Sequence, residues 1–168
     1  MNELDEAWSE MLAGAIANAK SSGREDVADF LALKQTNDAI RQTGVEWLFN
    51  SFIEIASEAS RDNPHILIER ESPHEFEFNR ARMAGELVRV RFGVRCLTVE
   101  AGWTRTPAHG FMRGGALAAA RLTHFGRPKA GVELTLLHKG GAPGWHSLSG
   151  HSFDSHSLRE HLGILLEN

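Results

Sequence analysis

The sequence predicts an α+β fold: N-terminal acidic helices packed on a mainly antiparallel β-sheet, with a C-terminal helix. Two observations carry that reading. The apolar period changes from helical to two after Asn63-Pro64. Helical segments also stand together before the strands instead of alternating with them, which argues against a doubly wound parallel sheet. A chain of 168 residues suits one domain, because that size buries about two thirds of its unfolded surface and sustains a core without staples. The expected organisation is a helical segment over 1–62, a sheet over 65–149 and a closing helix over 155–167.

Residues 2–20 set Leu4, Trp8, Met11, Leu12, Ala15, Ile16 and Ala19 at helical spacing, and Ser21-Ser22-Gly23 is a stop signal. A second helix is expected from Arg24 to about Asp38, with Val27, Phe30 and Leu31 on one side. A third runs from Thr43 to Ser60. Its stripe is Val45, Leu48, Phe49, Phe52, Ile55, Ala56 and Ala59, and Thr43 with Glu46 has capping-box spacing. Whether the second and third fuse through Asn37 to Gln42 is left open by the pattern.

Ile66, Ile68 and Arg70 alternate with His65, Leu67 and Glu69, and His74, Phe76 and Phe78 alternate with Glu75 and Glu77, so two short strands are expected, joined at Ser72-Pro73. From Glu86 to Glu100 one strand is expected to run straight through Gly93. Val88, Val90, Phe92, Val94 and Cys96 would line its apolar side, and Arg89, Arg91 and Arg95 the other, with same-side neighbours about 7 Å apart. Residues 116–125 read as strand by a narrow margin over helix, and 132–138 as strand between glycine-rich turns. Ser157 to Glu160 has capping-box spacing, Asp154 and Ser155 help start the last helix, and Leu158, Leu162 and Leu165 face inward.

Charge is laid out unevenly. Residues 1–79 carry 6 Lys+Arg against 16 Asp+Glu, whereas residues 80–139 carry 11 against 3. The electropositive middle must face something negative, and acidic helical surfaces lying across the basic sheet face, in this chain or a second copy, are the expected answer. There is no apolar run near about 18 residues and the first residues are acidic, so no membrane contact is expected. With a single cysteine, Cys96, no internal disulfide forms; a cytoplasmic location is the expectation.

No motif specifies a reaction, and no catalytic residue is assigned. Four histidines, His146, His151, His156 and His161, recur every five residues. That spacing sets side chains on opposite sides of a strand, or about 140° apart on a helix, so no metal site is expected. No cofactor fingerprint is present. Cys96 reads as a buried, inert thiol. Nucleic-acid binding is disfavoured, because Phe92 alternates away from the arginines, the chain has no tyrosine, and the upstream segment is acidic.

The stretch that suggests chemistry is Gly102 to Gly115, with four glycines, Trp103, Arg105, His109 and Arg113. Such a loop turns sharply, exposes N–H groups and carries guanidinium donors beside them, which suits an anion. The expected ligand-binding set is Arg105 and Arg113 as charge-assisted donors, His109 as a hydrogen-bonding switch, Trp103 as an apolar wall, and Arg89, Arg91 and Arg95 as an electrostatic approach. The expected function is a non-enzymatic binding module for an anionic small molecule or an acidic protein surface. A small enzyme using His109 as acid or base on an anionic substrate is the alternative, and a homodimer with complementary acidic and basic faces is a further one.

Overall fold

A computed structural model describes residues 3–139 and 141–167, with side chains from Glu6 onward; the side chain of Leu4, a member of the expected helical spacing, lies outside those described. The fold is α+β, with three helices and a seven-stranded antiparallel sheet. The elements are α1 (Glu3–Ser21), α2 (Glu25–Asp62), β1 (Ile66–Phe78), β2 (Ala81–Phe92), β3 (Arg95–Trp103), β4 (Ala118–His124), β5 (Val132–Leu137), β6 (Gly144–Ser147), β7 (Ser152–Phe153) and α3 (Ser155–Leu166). Strand order in the sheet equals sequence order, a continuous meander.

Two compact units divide the chain, Met1–Gln42 and Thr43–Asn168. In the first, Leu12, Ala19 and Ala28 are buried, and the Lys34 ammonium stands 5.3 Å from the centroid of the Trp8 ring. Met11, Phe30 and Leu33 are exposed. The two helical segments expected around residues 24–60 are one helix, α2. Thr43 and Glu46 therefore lie mid-helix and cap nothing. Gly44 does not break the helix either; it makes room, because a Cβ there would come 2.6 Å from a methyl of Leu136.

In the second unit, Leu48, Phe49 and Phe52 of α2 and Leu158, Leu162 and Leu165 of α3 are buried, as are Val88, Val90, Leu97, Val99, Leu122, Leu134 and Leu136 of the sheet. Alternation along each strand puts these sheet residues on one face, so the helices and that face form a single apolar core. Burying each such side chain contributes about 1.5–3 kcal/mol. The Trp145 indole N–H donates to the Gly44 carbonyl at 3.0 Å, tying β6 to α2. Asp154 caps α3, accepting from the Ser157 N–H at 3.0 Å in a closed capping box.

Two strand expectations change. The two short strands before Phe78 are one strand, β1, whose register shifts between Glu71 and His74, so Ser72 and Pro73 both stand opposite Glu86. Pro73 is accommodated because β1 is an edge strand and the shift is a bulge. The strand expected to pass through Gly93 instead turns there. Phe92 pairs with Arg95 across Gly93-Val94, and Gly93 has φ 63°, which a two-residue hairpin requires of its first residue. The turn reverses the parity of the alternation. Leu97, Val99 and Ala101 are the buried apolar side chains of β3, Val94 is exposed at the turn, and Cys96 falls beside Arg91 on the polar face. Arg95 thus leaves the row of Arg89 and Arg91. The segment expected as strand at 116–125 is β4.

Candidate functional site

The polar face of the sheet is a ladder of matched charges. Arg89 reaches Glu71 at 3.4 Å and Arg91 reaches Glu69 at 3.3 Å. Further along, Arg121 holds Glu100 at 2.9 Å and Glu133 at 3.4 Å, and donates to the Glu77 carbonyl at 3.1 Å. His74 Nε2 meets the second oxygen of Glu100 at 2.8 Å. On the other side of the hairpin Arg70 pairs with Glu86. Arg89, Arg91 and Arg121 of the electropositive middle are therefore matched, and their partners are glutamates of neighbouring strands rather than the helical surfaces expected from the sequence. Exposed pairs of this kind contribute about 0–1 kcal/mol each and chiefly fix strand register.

Arg95 donates to the Leu165 carbonyl at 3.2 Å, and so anchors the end of α3. Arg127 and Arg159 pair with Glu167 and Glu58. Among the guanidinium groups of the sheet and the 102–115 loop, Arg80, Arg82 and Arg113 meet neither a carboxylate nor a backbone carbonyl of the described residues.

Arg80 and Arg82 stand at the tip of the β1–β2 hairpin. Asn79 and Arg80 form its two-residue turn, with φ of 48° and 66°, between the paired Phe78 and Ala81. Positive φ at both positions is a type I′ turn, for which Asn-Gly is the favoured pair. Asparagine tolerates that conformation, whereas arginine at the second place costs about 1 kcal/mol relative to glycine.

Beside this tip runs a groove of about 610 Å³, lined by Glu75, Phe76, Glu77, Arg80, Ala81, Arg82, Ala108 and His109. Its other wall is the loop after β3. A short 3-10 turn, Pro107–His109, ends in Gly110 at φ 99°. A Cβ on Gly110 would come 3.2 Å from that of Ala81, so the loop passes close over β2. Met112 then packs against Phe78, Ala81, Met83 and Ala119, with Phe76 alongside. These apolar contacts hold the loop against the hairpin while the charged side chains stay at the rim.

Within the loop the Arg105 guanidinium lies 3.7 Å from the Trp103 ring centroid and donates to the Ala84 carbonyl at 3.1 Å. Its backbone N–H donates to His109 Nδ1 at 3.3 Å, which leaves Nε2 as the protonated nitrogen of the neutral ring. Arg105 and Trp103 thus brace the loop, and His109 lines the groove. Arg113 is exposed on the same loop and does not line the groove. Arg89 and Arg91 belong to the charge ladder, and Arg95 to the α3 contact.

Arg80, Arg82, Glu75 and Glu77 were not singled out from sequence as a ligand site. The signal was present: two alternating runs separated by Asn79 and one further residue announce a tight hairpin, and its tip residues belong together. Among the described residues no three His, Cys, Asp or Glu side chains gather as a metal ligand set, and no helix is long and apolar enough to cross a membrane.

Fold and site together define an α+β protein whose meander sheet carries helices on its apolar face and an open, charged groove at one end. No family model, curated protein or solved structure matches the chain.

Proposed function

We propose that this chain is a non-enzymatic binding module that receives an anionic group at the groove between the hairpin tip and the 102–115 loop. Arg80 and Arg82 supply the charge-assisted donors. His109 adds a neutral donor, and Arg113 raises the local potential. Trp103 and Arg105 keep the loop in place.

The observation that carries this reading is the distribution of unmatched charge. Elsewhere on the sheet the guanidinium groups meet a carboxylate or a backbone carbonyl, whereas the two on the groove wall meet neither. Arg80 also occupies a backbone conformation that glycine would adopt at lower cost, which points to a use for its side chain. Calorimetric titration with inorganic phosphate and with citrate, at fixed ionic strength, tests it. The Arg80→Ala, Arg82→Ala double variant should keep its thermal midpoint and bind these anions at least about tenfold more weakly. Equal affinity in the variant and the parent would reject the site.

A further inference from the structure

The groove carries two carboxylates as well as two guanidinium groups. Glu75 and Glu77 line it from β1, opposite Arg80 and Arg82, and neither glutamate side chain has an ion-pair or hydrogen-bond partner among the described residues. Glu77 and Arg82 are directly paired in the strand register. Their Cβ atoms are therefore about 5 Å apart, close enough for an ion pair to form, yet the pair does not close. A purely anionic ligand would feel the two guanidinium groups offset by two carboxylates. A molecule with charge of both signs would satisfy all four.

We infer that the groove takes a bipolar ligand, with a carboxylate set against Arg80 and Arg82, an ammonium group set against Glu75 and Glu77, and a short stem joining the two. This rests on the anion-binding reading above and narrows it to amino-acid-like chemistry, as a free molecule or as a peptide chain end. A groove of about 610 Å³ is ample for either.

Three probes of equal stem length separate the charges: 6-aminohexanoate, hexanoate and hexylammonium. Titrated into the intact protein and followed by NMR shifts of the Arg and backbone N–H signals, 6-aminohexanoate should bind at least about tenfold more tightly than either singly charged probe. In the Glu75→Gln, Glu77→Gln variant this preference should vanish while hexanoate binds as well as before or better. In Arg80→Ala, Arg82→Ala both carboxylate probes should be lost, with unchanged thermal midpoints in each variant. Hexanoate matching 6-aminohexanoate in the parent protein would overturn the bipolar assignment and leave the anion site standing. Failure of all three probes, together with failure of phosphate and citrate, would overturn both. A peptide ending in lysine, compared with its C-terminal amide, separates the sources. Binding tighter than 6-aminohexanoate, and lost on amidation, identifies a chain end, whereas weaker binding identifies a free molecule.

Discussion

A histidine pair behind the sheet, with His124 buried and His161 half-buried, gives this fold a calculable sensitivity to acid. His124 closes β4 on the apolar face and is 4% exposed. Its Nε2 meets His161 Nδ1 of α3 at 2.9 Å, with the rings stacked at 5.2 Å, and the Phe153 ring lies 5.9 Å from His161. Burial, then His161, then Arg127 lower the His124 pKa from 6.5 to about 4. Burial lowers that of His161 as well, with Glu160 acting in the opposite direction. One ring donates to the other only while at least one of them is neutral. Because the folded value lies below the unfolded one, the unfolded chain binds more protons across that interval, and stability falls as pH drops through it. From His124 alone the loss is about 2 kcal/mol at pH near 5 and about 3 kcal/mol at pH near 4, with no contribution above about pH 7. For a chain this long, 2 kcal/mol corresponds to a fall in thermal midpoint of roughly 4–8 °C. Urea unfolding of the parent and of His124→Gln between about pH 7.5 and pH 4.5 measures it, since glutamine is neutral throughout and the other titrating groups are shared. The stability difference between the two should change by about 2–3 kcal/mol over that range. Parallel curves would refute the argument.

Arg80→Gly relieves a positive-φ backbone at the hairpin tip and should raise stability by about 1 kcal/mol in urea, while citrate affinity falls; a loss of stability would show that the turn needs the side chain. Gly85→Ala would drive a Cβ into the Ala101 carbonyl oxygen and the Gly102 backbone of the neighbouring strand, so β2 and β3 must separate locally and stability should fall by more than about 2 kcal/mol, read from the urea midpoint. Phe52→Ala removes a fully buried ring from the α2 stripe and should cost about 3–5 kcal/mol on the same assay.

The order of helices and strands was legible because burial imposes a period on each. Phe49, Phe52 and Ile55 can share one side only in a helix, and Val88 and Val90 only in a strand. Boundaries were less legible wherever one residue type serves two purposes. Thr43 and Glu46 have capping-box spacing, yet the helix runs through them, and Gly44 between them is there for close approach to Leu136. Gly93 sits inside an alternating pattern, and only the pairing of Phe92 with Arg95 shows that it turns the chain. That turn changed the meaning of the arginine row, since Arg95 crosses to the helix side. The charge asymmetry was visible as an imbalance along the chain, but its resolution depended on β1 lying beside β2, which opposes Glu69 and Glu71 to Arg89 and Arg91. The loop at 102–115 was found from composition. Its companion wall was not, because Glu75, Glu77, Arg80 and Arg82 become one surface only once the Asn79-Arg80 turn folds them together.

Every strand in the sheet hydrogen-bonds to the strands next to it along the chain, and this bears on how the protein is made. Closing each hairpin needs only a short excursion of backbone, so pairing can spread stepwise as the polypeptide leaves the ribosome, without waiting for distant segments. The long helix that precedes β1 emerges earlier, and its oily stripe has nothing to cover it until several hairpins are in place. In that interval the nascent chain is most exposed to chaperones and to clumping.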